Sequence, residues 1–159
     1  MFTAAVTITF FDQLTKRLAV WGFPGDGDHI TVIPGFFDLR LVYNEGAAWG
    51  MLSGQRWILI AVSAMMLVFI VWNRKELAKG GRFQSIMTGL LMGGIAGNLT
   101  DRVLTGKVID FFDFHWENVY YYPVFNIADS AICVGIFSMV LSQFLRKKEV
   151  QEVQEVQEV

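Results

Sequence analysis

The sequence predicts an all-α polytopic membrane protein: four transmembrane helices with a small extramembrane β-platform on the non-cytoplasmic side. Three observations lead there. Of the 159 residues, 53% are hydrophobic and only 18% charged, and the mean hydropathy is +0.42, too oily for a soluble domain of this size. Uncharged runs recur at lengths close to what a helix needs to cross a bilayer. Basic residues collect in the segments that would share one side of it. A single integral-membrane domain is expected over residues 1–148, followed by a low-complexity QEV tail at 149–159.

The first span is expected over about residues 2–22. It is the least apolar, because Met1 to Phe11 is followed by Asp12, Lys16 and Arg17. A signal peptide would carry its charges ahead of the apolar stretch. Asp12 and Lys16 are four apart, so on a helix they face each other and offset one another's charge. The second span, 57–73, is an uncharged run of 17 residues. The third, 83–101, rests on an uncharged run of 18, and the fourth, 126–145, on one of 16 from Ser130. Arg74, Lys75, Lys79 and Arg82 lie between spans two and three, and Arg146, Lys147 and Lys148 follow span four. The positive-inside rule makes that side cytoplasmic, with both termini on it.

Segments 23–55 and 102–125 then share the outer face. In FFDLRLVYN, residues 36–44, apolar Phe37, Leu39, Leu41 and Tyr43 alternate with Asp38, Arg40 and Asn44. Preceded by ITVI and a Pro34–Gly35 turn, this reads as a β-hairpin. KVIDFFDF, residues 107–114, reads as another strand, and Trp116, Tyr120, Tyr121 and Tyr122 suit a membrane–water interface. The tail reads as mobile or weakly helical, with no catalytic role.

Composition excludes several classes. The net charge of −2 includes Glu149, Glu152, Glu155 and Glu158 of the tail, and the body without them is near +2. No basic stripe with interleaved aromatics is present, so no nucleic-acid partner is expected. Cys133 is the single cysteine and His29 and His115 are far apart, so neither an internal disulfide nor a zinc site is expected.

The polar residues that remain converge. Span three runs outward and span four starts inward, which places Asp101, Asp110 and Asp129 near the outer surface. Asn98, Asp101 and Arg102 share a helix face, as do Asn126 and Asp129. Gly89, Gly93 and Gly97 form overlapping G-x-x-x-G steps that let a neighbouring helix approach. Packing accounts for the glycines. A structural ion pair accounts for Asp101 beside Arg102, interhelical hydrogen bonds for the asparagines, and a solvated loop carboxylate for Asp110. Asp129 is harder to account for in this way, since it opens a span with no Lys or Arg within four residues. Two carboxylates held together at a low-dielectric boundary share one proton and divide acid and base roles. The spacing shows that Asp110 and Asp129 can meet, and no more.

Five segments resemble, in order, the motifs of lipoprotein signal peptidase (signal peptidase II), the bacterial aspartic protease family of the cytoplasmic membrane. They are FDQLTK at 11–16, NEGAAWG at 44–50, GNLTDR at 97–102, VIDF at 108–111 and FNIADSAI at 125–132. The likeness covers roughly residues 8–145, and departs in a short first span with 11 residues before Asp12. It implies a catalytic dyad of Asp110 and Asp129, with Asp113 a decoy that lacks the valine two positions before it. It implies a substrate-binding shell of Asn44, Asn98, Asp101, Arg102 and Asn126, and structural roles for Asp12 and Lys16 beside those of Gly93 and Gly97. The implied substrate is a diacylglyceryl-modified prolipoprotein, cleaved just before the lipidated cysteine. Membrane lipid is the other partner, a monomer is expected, and neither metal nor organic cofactor is implied. The location implied is the bacterial cytoplasmic (inner) membrane, with the site near the outer leaflet.

The alternative from another class is a small proton-coupled transporter using intramembrane carboxylates. It would place acids near the midplane and show an internal repeat. A purely structural membrane protein is a further rival, and the G-x-G-D motif of presenilin-type proteases is absent.

Overall fold

Four long helices carry the chain. The computed structural model describes residues 1–47, 50–116 and 119–157. Ala48 and Trp49 of the NEGAAWG segment lie outside the described residues, as do the side chains of Arg146, Lys147 and Lys148. Helix α1 spans Phe2–Gly22, α2 Arg56–Trp72, α4 Gly81–Leu104 and α5 Ile127–Gln157, with a short α3 at Arg74–Leu77. Strands β1 (His29–Ile33), β2 (Phe37–Asn44), β3 (Val108–Trp116) and β4 (Tyr120–Tyr121) form one antiparallel sheet in that order. Each long helix contains or overlaps one of the expected spans. Among the described residues, only Ile127–Leu145 is by itself long and apolar enough to cross a membrane, and α2 is a shorter apolar helix. The backbone of α5 continues beyond that stretch as helix through the QEV repeats to Gln157.

Helices α1, α2 and α5 hide little of their apolar surface. In α2 only Leu59 and Ile70 are buried, while Trp57, Val68 and Phe69 stay more than half exposed, as do Val6 and Phe10 of α1 and Phe137 and Phe144 of α5. An aqueous exterior does not tolerate an apolar belt on this scale.

Helix α4 packs against the other three, and glycines make its close approach to α1 and α5 possible. A Cβ on Gly93 would stand 2.6 Å from the Ala5 carbonyl of α1, while one on Gly97 would collide with the Asp12 carboxylate and one on Gly94 with the Ala128 carbonyl of α5. Thr9 Oγ1 uses the closeness to donate to the Gly93 carbonyl at 3.1 Å. Ile70, Leu91 and Ile95 form one apolar cluster within the bundle; Ala19, Leu41 and Phe111 form a second where α1 meets the sheet.

The expected hairpin is present, with Gly35 at φ +73° in its turn. The simple alternation of β2 is not. The register shifts between Leu39 and Val42, so Leu41 is buried on one side of this bulge and Asp38 on the other. Asp38 lies opposite Asp113 of β3; His115 Nε2 sits 3.3 Å from Asp38, and Arg40 Nε 3.1 Å from Asp113. Asp38 and Arg40 of β2 therefore join Asp113 and His115 in a cluster apart from Asn44. The segment before α5 is tied to β3 by the Phe112–Phe125 bridge, which brings the start of α5 beneath Asp110.

Candidate active site

The FNIAD segment builds its end of the site from local structure alone. Asn126 occupies the N-cap of α5 and Asp129 the third position of its first turn. Asn126 Oδ1 accepts the Asp129 backbone N–H at 2.9 Å, and Asp129 Oδ2 accepts the Asn126 backbone N–H at 3.2 Å. This is a reciprocal capping box. It uses up the Asn126 oxygen and so turns the Asn126 amide nitrogen outward, where it donates to Asp110 Oδ1 at 2.7 Å and lies 3.1 Å from Asn98 Oδ1 and 3.2 Å from the Ile109 carbonyl.

Asp110 projects from β3 opposite Val42. Its second oxygen accepts from Asn44 Nδ2 at 2.9 Å, and Asn44 Oδ1 in turn takes the Gly46 N–H at 2.9 Å. Asn98 of α4 donates to Asp129 Oδ1 at 2.7 Å. Each carboxylate thus receives two N–H donors, and Asn126 serves both. What separates them is solvation, since Asp110 is 1% exposed and Asp129 is half-buried. Burial, and then the neighbouring Asp129 charge, push the Asp110 carboxyl up to about 7; the amide hydrogen bonds and the Lys16 charge only partly oppose this.

Asn44, Asn98, Arg102, Asp110 and Asp129 line a cavity of about 760 Å³, bounded also by Tyr122, Phe125 and Cys133. Arg102 Nη2 donates to the Gly46 carbonyl at 2.7 Å, tethering the segment that borders this cavity. A second cavity of about 520 Å³ abuts the first, sharing Tyr122, Phe125, Asp129 and Cys133 and adding Phe36, Phe114, Trp116 and Tyr120. Its walls are chiefly aromatic, with His115, Asp129, Ser130 and Cys133 among them.

Asp101 stands elsewhere. It is 4% exposed and does not line the cavity: Oδ1 takes Gln13 Nε2 at 2.8 Å, and Oδ2 takes Lys16 at 2.8 Å and the Ile109 N–H at 3.3 Å. Asp12 meets Lys16 at 2.9 Å and accepts the Ala128 N–H at 3.0 Å. These groups form a buried ion network behind the cavity. Asp113 is held by Arg40 in the separate cluster on the sheet.

Two contributors carried little signal in the sequence. Gln13 lies inside FDQLTK, where only its charged neighbours stood out. Arg56 clamps the end of α4 by donating to the carbonyls of Arg102 and Val103, both at 2.8 Å; a lone arginine opening an apolar run gives no hint of that. Among the described residues, no three His, Cys, Asp or Glu side chains are placed to share a metal ion. The arrangement supplies one carboxyl that holds its proton near neutrality, a second aspartate beside it, and fixed amide donors around a shared cavity. Such a site can activate water against a carbonyl group.

Comparison with known proteins is consistent with that chemistry. A family model described as "Signal peptidase (SPase) II" matches residues 4–145. The lipoprotein signal peptidase of Symbiobacterium thermophilum is 37% identical over 145 residues, covering 91% of this chain and 94% of the relative. That of Bacillus pumilus is 37% identical over 148 residues, covering 93% and 94%. A bacterial membrane enzyme solved by the in meso method superposes with a TM-score of 0.82 at 35% identity, covering 92% of this chain and 87% of the other.

Proposed function

This chain belongs to the signal peptidase II family, and on that premise we propose that it is an aspartic endopeptidase removing signal peptides from diacylglyceryl-modified prolipoproteins, with Asp110 and Asp129 as its dyad. The observation that carries the reading is that two carboxylates from different elements share Asn126 as donor and open on one cavity. In the proposed reaction the Asp129 carboxylate takes a proton from water as the water oxygen attacks the carbonyl carbon before the lipidated cysteine. Asp110, in its acid form, protonates the carbonyl oxygen. The diol then collapses: one hydroxyl proton returns to Asp110, Asp129 protonates the nitrogen, and the C–N bond breaks. The signal peptide leaves with a new carboxyl terminus, the cysteine with a free amine, and the dyad is restored.

The surroundings support a lipidated substrate. The aromatic trough reaches Asp129 and is open enough to take acyl chains while the peptide bond lies at the dyad. The apolar belt of α1, α2 and α5 supports four bilayer spans. In this reading the chain sits in the cytoplasmic membrane as a monomer, with both termini on the side of the basic segments 74–82 and 146–148 and the dyad at the other boundary. The acids gather at one end of the bundle, which favours this reading over a proton path along it.

The test is cleavage of a verified diacylglyceryl-modified prolipoprotein by the purified chain in bilayers. Asp110→Asn and Asp129→Asn should each lose about 10²–10⁴-fold in kcat. Wild-type rates in either variant would remove that residue from the dyad, and an inert wild type would sink the peptidase reading.

A further inference from the structure

Lys16 is 1% exposed and does not line the cavity. Its ammonium has three protons and three partners: Asp12 at 2.9 Å, Asp101 at 2.8 Å and Asn98 Oδ1 at 2.8 Å. Two carboxylates would suffice for a core ion pair. The third bond goes to an amide that touches the reacting carboxylate. We propose that Lys16 is a positioning residue for the dyad: by holding the Asn98 carboxamide oxygen it keeps the Asn98 N–H on Asp129.

The chemistry leaves the amide one orientation. An ammonium only donates, so the oxygen of Asn98 must face Lys16. Asn126 Nδ2 reaches the same oxygen at 3.1 Å. A turned-over Asn98 would set its NH₂ against two donors and its oxygen against the Asp129 carboxylate. The N–H that meets Asp129 Oδ1 at 2.7 Å is therefore fixed from behind by a residue no substrate reaches. With Lys16 gone, Asn126 alone opposes the turn, and Asp129 loses a steady aim.

The role carries an electrostatic signature. The groups acting on Asp110 are Asp129 and Asn126 at the start of α5, Asn44 of β2, Lys16 of α1 and Arg102 of α4. Those facing Lys16 are Asp12 of its own helix and Asp101 and Asn98 of α4. Lys16 is one of the groups holding Asp110 down. Removing its charge lets the Asp110 carboxyl keep its proton to higher pH, so the alkaline limb of the rate profile moves upward.

The proposal rests on Asp110 and Asp129 being the reacting pair, and its test separates the two. The full chain in bilayers is assayed as wild type, Asp129→Asn, Lys16→Arg and the compensated pair Asp12→Asn/Lys16→Met, which removes one charge of each sign. In the compensated pair kcat should fall about 10–100-fold, KM should stay within about 2-fold, and the alkaline limb should rise. Lys16→Arg keeps the cation and should leave the limb in place. A compensated variant with wild-type kcat and an unmoved limb overturns the proposal. So does loss of a cooperative melt in both Lys16 variants, which would make Lys16 a core ion and nothing more. If Asp129→Asn cleaves at the wild-type rate, the dyad reading fails first.

Discussion

Asn126 and Asp129 hold each other reciprocally, backbone N–H to side-chain oxygen in both directions, at 3.2 and 2.9 Å. The same asparagine then reaches Asp110 at 2.7 Å. One residue thus starts α5, fixes the rotamer of Asp129 and supplies a donor to Asp110. Asn126→Ala should cost about 1 kcal/mol of helix capping but at least about 100-fold in kcat, a disproportion that a stability effect alone would not give. Thermal melts beside cleavage rates check it; a kcat loss below a few-fold would show that Asn126 only caps.

The raised Asp110 makes opposite predictions for activity and stability. An unfolded Asp titrates near 3.9, whereas this one holds its proton to about 7. Between those values the folded state binds more protons than the unfolded, so this group's contribution to stability falls as pH rises through that window. The full penalty is present above about pH 7, with an upper limit of roughly 4 kcal/mol. Asp110→Asn removes the charge while keeping the shape, and should melt higher than wild type at pH 8 yet about equally at pH 4. Activity should fall on the alkaline side near pH 7, where the acid member of the pair is lost. A variant that melts lower at pH 8 would contradict the assigned burial penalty.

Much of this was legible because the informative residues are punctuators. Pro34–Gly35 announced the hairpin, and the G-x-x-x-G steps announced the close face of α4. The asparagine–aspartate spacing of FNIAD placed a polar pair at a helix start. Tertiary structure decided the rest. The bulge between Leu39 and Val42 changes which residues of β2 face inward, so the period-two alternation gave no sign that Asp38 is only 5% exposed. Asp101 and Arg102 are adjacent on α4 but part company, one to the ion network and one to the cavity. Gln13 gave no warning because an uncharged residue beside Asp12 and Lys16 looks like helix surface.

Gly97 tests the interhelical face. A Cβ there meets the Asp12 carboxylate, which is itself held by Lys16 and the Ala128 N–H, so there is no flexible neighbour to yield. Gly97→Ala should destabilise by about 2–4 kcal/mol through overpacking and a displaced buried charge. Gly22→Ala, with nothing within 4 Å, should be neutral. Equal melting of the two variants would refute the packing account.

Asp113 tests the choice between neighbouring aspartates. It is 1% exposed, lies opposite Asp38 and is paired to Arg40. Two like charges directly across a sheet oppose each other, so losing one offsets much of the lost ion pair. Asp113→Asn should keep kcat within about 2-fold and shift stability by about 1 kcal/mol or less, whereas Asp110→Asn should lose about 10²–10⁴-fold in kcat. A large kcat loss in Asp113→Asn would bring the sheet cluster into the reaction.

Arg102 is where charge and shape can be separated. Its Nη2 holds the Gly46 carbonyl, its own carbonyl is clamped by Arg56, and its buried Nε has no hydrogen-bond partner among the described residues. It lines the cavity with Asn44 and Glu45, so the fork ties down the border of the site. Lysine keeps the charge but has one ammonium in place of that fork. Arg102→Lys should therefore raise KM about 10-fold, with kcat reduced by less and the melting midpoint little changed. If kcat fell alone while KM held, Arg102 would be acting on the dyad's charge and not on the segment that borders the cavity.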